Sequence, residues 1–370
     1  MNAVENISRI VKGKYRKAAI FTDRGIEAAG LLEGVKEELR HGGLSVEILD
    51  DLAAEPTCDQ AQAAINRFCE TGADLIVAAG GGSVMDAAKL ASITAGSGYG
   101  VRDLLDDPAL GRRTVDTLMI PTTAGTGAEA TPNSIVAVPE KELKVGIVND
   151  AMIPDYVILD GNMIRKLPKK IAASTGVDAL AHGIECFTSK KANTFSNLFA
   201  MEAMKLIFSS IEKACCDADA AEEKNQMLLA AFYAGAAITA SGTTAVHALS
   251  YPLGGRYHIP HGVANAMLLL PVMEFNRPAC LDEFAAVYDS LNPHAGAESR
   301  EEKADWLLGR MEGIIRNLEI PVSLAEFGIG MEDLDDLVKA GLDVKRLLDN
   351  NKRTVTENDA RKIYFSIMGK

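Results

Sequence analysis

Cysteine is scarce in this chain and shows no organisation. Cys58, Cys69, Cys186, Cys215, Cys216 and Cys280 are spread over 370 residues without a CxxC pair. That excludes a disulfide framework and a cysteine-rich zinc module, and it suits a reducing compartment. The vicinal Cys215-Cys216 pair lies in a helix end flanked by Lys and Asp and reads as incidental. Basic excess is also missing: 38 Lys and Arg face 51 Asp and Glu, for a net charge of −13. A nucleic-acid partner needs a basic surface for phosphates and is therefore not expected. The opening residues, MNAVENISRIVKGKYRK, contain no apolar core of the kind a signal peptide carries. The longest apolar run, near residues 227–240, is too short and too alanine-rich for a bilayer span and predicts a buried helix. No repeat, low-complexity tract or Ser/Gly/Pro linker interrupts the chain. These absences lead to the expectation of a cytoplasmic protein with neither membrane nor nucleic acid as partner.

At 48% hydrophobic and 24% charged residues, the chain can build two cores. Its first part alternates short β-rich runs with helical ones. Residues 17–22, 45–49, 75–79 and 118–120 predict strands. Residues 26–41, stopped by Gly42-Gly43, predict a helix, as do 58–71 and 84–95. Such alternation predicts a parallel sheet covered by helices on both faces. Residues 135–138 and 144–148 predict a hairpin, and 156–159 a last strand. After Asp160 the strand pattern stops and long alanine-rich helices take over. The reading is an α/β domain over 1–160 and an all-helical domain over 161–370, packed closely around a cleft.

Three small-residue loops close strands of the first domain. Gly80-Gly81-Gly82-Ser83 follows an apolar strand and opens a helix. There, free amides and the helix N-terminus suit a phosphate. A tight strand-to-helix turn uses the same residues. Asp86 either caps that helix or orients the loop. The run is not a GxGxxG fingerprint, and it is not on the first strand. That strand ends instead in Phe21-Thr22-Asp23-Arg24-Gly25, where a carboxylate can accept from a ribose hydroxyl and repel a 2′-phosphate. Asp23 equally suits an N-cap before Ile26. Pro121–Gly127, rich in threonine and glycine, suits a ribose or an adenine edge. Together the loops line the sheet edge where open α/β folds bind ligands.

The second part carries a set of metal-ligand types. Asp178 and His182, four apart, share one helix face. His247 and His261 lie in AVHALSYPLGGRYHIPHGVANA. Pro252 and Gly254-Gly255 argue against one continuous helix. The expectation is a helix carrying His247, a reversal, and a second helix opening at Pro260–His261. One carboxylate and three imidazoles from separate helices can then meet at one divalent ion. The plain alternative is a helix-surface pair and two structural histidines.

Six motifs in this order, FTDRG (21–25), GGGSVMDAAK (80–89), PTTAGTGAEATPN (121–133), GVDALAHGIE (176–185), AVHALSYPLGGRYHIPHGVAN (245–265) and IPVSLAEFGI (320–329), resemble the iron-containing (group III) alcohol dehydrogenases. The resemblance implies a Rossmann-like dinucleotide-binding α/β domain followed by an all-α metal-binding domain, the architecture shared with dehydroquinate synthase. It implies Asp178, His182, His247 and His261 as metal ligands. It also implies cofactor contacts at Gly81, Gly82 and Ser83, with Asp86 in support, and at Thr122, Thr123, Thr131, Asn133 and Lys144. Asp23 matches the position that favours NAD(H) over NADP(H).

The implied activity is hydride transfer between NAD(H) and a small primary alcohol or aldehyde, with the metal as Lewis acid on the substrate oxygen. Fe(2+) is the expected ion. The mixed N/O ligands also suit Zn(2+) and other divalent metals. Many members have a proton-relay His where this chain has Tyr251; His258 is the substitute candidate, beside His261, for catalytic proton transfer. Glu55-Pro56 replaces a common Asn-Pro. The 245–261 segment and residues 347–351 resemble the 4-hydroxybutyrate dehydrogenase branch, which reduces succinic semialdehyde. Arg256, Lys352 and Arg353 are candidate receptors for a distal carboxylate, or else solvated charges. A homo-oligomer, dimer or larger, is expected. A lyase resembling dehydroquinate synthase is the alternative activity. It needs a Lys/Arg cluster for a phosphorylated sugar, and the motifs show none. A non-enzymatic metal or nucleotide sensor has no motif in its favour.

Overall fold

The computed structural model describes residues 2–369 apart from 142 and 295. The chain divides into two compact units, Met1–Leu167 and Pro168–Lys370.

The first unit is built on five parallel strands: β1 (Lys17–Phe21), β2 (Ser45–Leu49), β3 (Leu75–Gly80), β4 (Asp116–Pro121) and β7 (Tyr156–Val157), in the order β2-β1-β3-β4-β7. β5 (Asn133–Val138) and β6 (Leu143–Val148) form a separate antiparallel hairpin. Strand alternation assigns each side chain to one of two cores. Ala19, Phe21, Ile76, Ala78 and Met119 pack on one face with residues of α4 (Cys58–Thr71), α5 (Gly82–Thr94) and α6 (Val101–Asp106). Ala18, Ile20, Leu75, Val77, Leu118 and Ile120 face the other way, onto α1 (Ile7–Val11) and α3 (Glu33–His41). Central strand β3 is buried along its whole length, which is why it reads as a continuous apolar run.

Between β1 and β3 the strand order reverses, and open α/β sheets bind ligands beyond the strand ends at such a point. The Thr22 hydroxyl ties the two strand ends together by donating to the Ala79 carbonyl at 2.8 Å. FTDRG and the glycine run are therefore neighbours, which the sequence alone did not reveal.

One expected helix is two. The segment read as helix over 26–41 divides into α2 (Arg24–Ala28) and α3, because Gly30 takes a left-handed φ of 72° that stops the first helix. The last strand is also shorter than expected, ending at Val157.

Within the second unit the described elements are helical. α7 (Lys169–Thr188), α8 (Thr194–Cys216) and α9 (Ala221–Ser241) pack on one another, and α10 (Ala245–Tyr257) and α11 (His261–Asn276) follow. The apolar 227–240 run lies in α9, with Met227, Leu228, Ala230, Ala231, Ala234 and Ala237 buried. Among the described residues no single helix is long and apolar enough to cross a membrane, although α9 and α10 together, meeting at 106°, have the composition.

The reversal between His247 and His261 exists, but its agent differs from the one expected. α10 runs straight through Pro252 and both glycines to Tyr257. The lost Pro252 N–H removes one helical bond, and the burial of Ala248, Leu249, Ser250 and Leu253 around it offsets that loss. The turn comes instead at His258, whose φ of 55° is left-handed. Pro260 then serves as N-cap of α11.

Candidate metal centre and nucleotide loops

Asp178 and His182 stand one turn apart on α7, His247 on α10 and His261 on the first turn of α11. Asp178 Oδ1 lies 3.9 Å from His182 Nε2, 3.5 Å from His247 Nε2 and 3.8 Å from His261 Nε2. One ligand atom from each of the four lies within 4.8 Å of the others. An ion bonded at its usual 2.0–2.2 Å spaces its ligands by about 3.0–3.6 Å, so each Nε2 stands within a few tenths of an ångström of that spacing from Asp178 Oδ1, and the widest donor pair needs to close by about 1 Å. Asp178, His182 and His247 are buried, while the His261 side chain is one-third exposed. The chemistry of the donor set and its spacing both fit a divalent ion.

The electrostatics of Asp178 and His182 point the same way. Burial pushes the Asp178 carboxyl up, yet the imidazoles of His182, His261 and His247 outweigh it and hold the group far below the usual carboxylate range. Burial lowers His182 to about 4, against the pull of Asp178. That keeps its imidazole neutral, as ligation requires.

His247 owes its orientation to Glu185, a residue given no role from sequence. Glu185 is wholly buried on α7. Its Oε1 accepts from Thr244 N at 2.9 Å, Thr244 Oγ1 at 2.8 Å and Val246 N at 2.8 Å. These amides begin α10 and would otherwise lack partners. Its Oε2 meets His247 Nδ1. With Nδ1 donating to a carboxylate, Nε2 is turned inward as the atom that would face an ion. Residues 178, 182 and 185 share one helix face, and that i, i+4, i+7 series was the available signal. Asn265 also enters the cluster, with Nδ2 at 2.6 Å from Asp178 Oδ1.

Gly262 lets α11 come this close to α7. A Cβ there would stand 2.5 Å from the Ser174 carbonyl oxygen and 2.8 Å from its carbon. Both are helix backbone and cannot step aside. Gly262→Ala is expected to cost about 1–3 kcal/mol of stability through overpacking and to draw His261 off the cluster. Thermal denaturation with and without added metal checks both effects.

In the first unit the three small-residue loops adjoin. A Cβ on Gly82 would meet Thr126 Cγ2 at 2.8 Å, and one on Gly81 would meet Thr123 Oγ1 at 3.5 Å. Gly81 is the N-cap of α5, so the amides of Gly82 and Ser83 open that helix. Ser83 Oγ accepts from Glu55 N at 3.0 Å, and Glu55 Oε1 pairs with Lys144 Nζ at 2.6 Å. Asp86 caps nothing. It pairs with Lys89 Nζ at 2.9 Å and accepts from Ile135 N at 2.9 Å, fastening α5 to β5. Lys89, missed from sequence, is wholly buried; it donates to Thr131 Oγ1 at 3.2 Å and to the Asn133 carbonyl. Thr122 is buried, its N–H donating to the Gly80 carbonyl at 3.0 Å. Asp23 Oδ1 accepts from Ile26 N at 3.0 Å as the N-cap of α2.

Other candidates stand apart. His258 is exposed at the turn before α11. The Tyr251 ring lies 6.4 Å from that of His261. Arg256 pairs with Asp336 at 2.7 Å, Lys352 with Glu283, and Arg353 stacks 4.0 Å above Phe275.

A parallel sheet with glycine and threonine loops at its switch point, in one chain with a largely buried three-histidine, one-carboxylate cluster that could hold a metal ion, is the combination expected of a metal-dependent enzyme that works with a nucleotide. Residues 1–161 match the family model of the iron-containing alcohol dehydrogenases, and residues 172–368 match that of the Fe-containing alcohol dehydrogenase family, C-terminal. The chain belongs to the iron-containing alcohol dehydrogenase family and is an oxidoreductase. It is 33% identical to long-chain-alcohol dehydrogenase 1 of Geobacillus thermodenitrificans over 93% of this chain and 88% of that protein. It is 30% identical to the NAD-dependent methanol dehydrogenase of Bacillus methanolicus, over 94% and 91%. An iron-containing alcohol dehydrogenase of Thermotoga maritima superposes with a TM-score of 0.84 at 30% identity, covering 99% of this chain and 94% of that one.

Proposed function

We propose that the protein moves a hydride between NAD(H) and a small primary alcohol or aldehyde, in the cytoplasm, with Asp178, His182, His247 and His261 holding Fe(2+). The observation that carries this reading is the convergence of three Nε2 atoms on one Asp178 oxygen, with Glu185 locking His247 behind them. When bound, the ion polarises the substrate oxygen as a Lewis acid, and NAD(H) supplies or takes the hydride. Asp178 would bring the one negative charge of the ligand set, leaving part of a divalent ion's positive charge to attract the substrate oxygen. Burial of Asp178, His182 and His247 keeps water from three sides of the site. His261, the exposed ligand, marks the side from which substrate reaches it. His258, in solvent three residues earlier, passes the alcohol proton outward.

At the cofactor, the amides of Gly81, Gly82 and Ser83 take the pyrophosphate. Asp86, Thr131, Asn133 and Lys144 support the wall through the Lys89 and Glu55 contacts, and Thr122 and Thr123 line it. Asp23 repels a 2′-phosphate, which favours NAD(H); the relative from Bacillus methanolicus is named for NAD. The finer substrate reading is succinic semialdehyde and 4-hydroxybutyrate. The pairing of Arg256, Lys352 and Arg353 leaves it on the sequence resemblance. A dimer or larger homo-oligomer is the working form.

Metal analysis of the protein as isolated, with a kinetic screen of NADH and NADPH against short aldehydes including succinic semialdehyde, tests the whole. One equivalent of a divalent ion, and NADH oxidation at least tenfold more efficient than NADPH oxidation, is the expected result. Absence of turnover with every aldehyde by the metal-loaded protein overturns it.

A further inference from the structure

Asn265 stands one turn beyond His261 on α11 and is wholly buried. Its Nδ2 lies 2.6 Å from Asp178 Oδ1, 3.0 Å from His247 Nε2 and 3.1 Å from His261 Nε2. Atoms that share one ion's coordination sphere sit about 3 Å apart. The end of this carboxamide is therefore spaced from three ligand atoms as a fellow ligand would be. An amide nitrogen has two hydrogens for the three ligand atoms around it, and its N–H groups cannot face a cation. An oxygen in the same place can. A half-turn of the carboxamide exchanges nitrogen and oxygen with almost no change of shape. The turn breaks no hydrogen bond at the far end, because Oδ1 is buried without a hydrogen-bond partner.

We propose that Asn265 is a fifth protein ligand, presenting Oδ1 to the divalent ion; this rests on the metal-centre reading above. Three imidazole nitrogens and two oxygens would then hold the ion, and a sixth ligand could be the substrate oxygen. Such a set favours ions that accept five or six ligands over zinc, which is satisfied by four.

Cobalt(II) substitution tests the ligand count without recourse to activity, since visible absorption of this ion weakens as its coordination number rises. The wild-type protein is expected to take up one Co(II) with weak visible bands and to release it slowly to a chelator. Asn265→Leu should bind Co(II) with bands several-fold more intense and lose it at least tenfold faster. Asn265→Asp, which restores an oxygen donor, should return the weak bands and the slow release. An Asn265 that merely props Asp178 would change the release rate but leave the intensity alone. Should the leucine variant not fold, Asn265→Val is read in the same way. Wild-type protein that takes up no Co(II) overturns the metal-centre reading and this proposal with it. Wild-type uptake with an unchanged spectrum in the apolar variant, or failure of Asn265→Asp to restore it, overturns the fifth ligand alone.

Discussion

Asp178→Asn yields a folded protein that holds no ion and turns over roughly a thousandfold more slowly, the equivalent of about 4 kcal/mol of lost transition-state stabilisation. The substitution changes almost no volume, so the packing of α7 is spared. It removes the only charge in the proposed ligand set, and it puts an amide where one carboxylate oxygen faces three imidazoles within 4 Å. Elemental analysis should fall from one ion per chain to near zero, with unchanged far-UV circular dichroism. A variant that keeps both its ion and its turnover would remove the basis of the functional reading.

Glu185→Gln separates geometry from charge. Glutamine's carbonyl can still accept from Thr244 and Val246, so the start of α10 survives. Its NH2 group, however, would meet His247 Nδ1 where a carboxylate stood. The imidazole must then accept at Nδ1 and carry its proton on Nε2, the atom meant for the ion. Metal affinity is expected to drop about 10–100-fold, the usual effect of removing such a supporting carboxylate.

The pH dependence gives a second signature. Burial alone would lower the His247 pKa, but Glu185 and Asp178 outweigh it and raise it to about 9. Below that value the wild-type imidazole carries a proton an ion must displace. Affinity should therefore climb about tenfold per pH unit from 7 and level off above 9. In Glu185→Gln the His247 pKa falls and the rise flattens. Titration against a competing chelator at several pH values checks both expectations.

The four proposed ligands were legible in the sequence because they are chemically rare there and regularly placed. An Asp and a His four apart need only a helix to meet, and three of six histidines fell in the matching motifs. The glycine and threonine loops were legible as strand endings. What could not be read was pairing between elements. Glu185 acts on the start of a helix some sixty residues later, and Lys89 binds a loop more than forty residues away. Asn265 is a common residue type whose role depends on where two other helices put their histidines. The helix errors share one origin. Gly30 was an unremarked glycine inside an amphipathic pattern, and it broke the helix. Pro252 was a conspicuous breaker, and tertiary burial overrode it.

The strand order carries a kinetic consequence. β1 cannot gain its inner neighbour until β3, more than fifty residues later, has been made, and β4 waits for β7 at residues 156–157. Contacts closed over such distances form slowly, whereas consecutive packed helices such as α7, α8 and α9 close over short loops. On dilution from denaturant the C-terminal half should thus recover its native signal ahead of the N-terminal sheet. During synthesis, apolar strands such as Ala18–Phe21 must wait unpaired, the stage at which association between nascent chains is most to be guarded against.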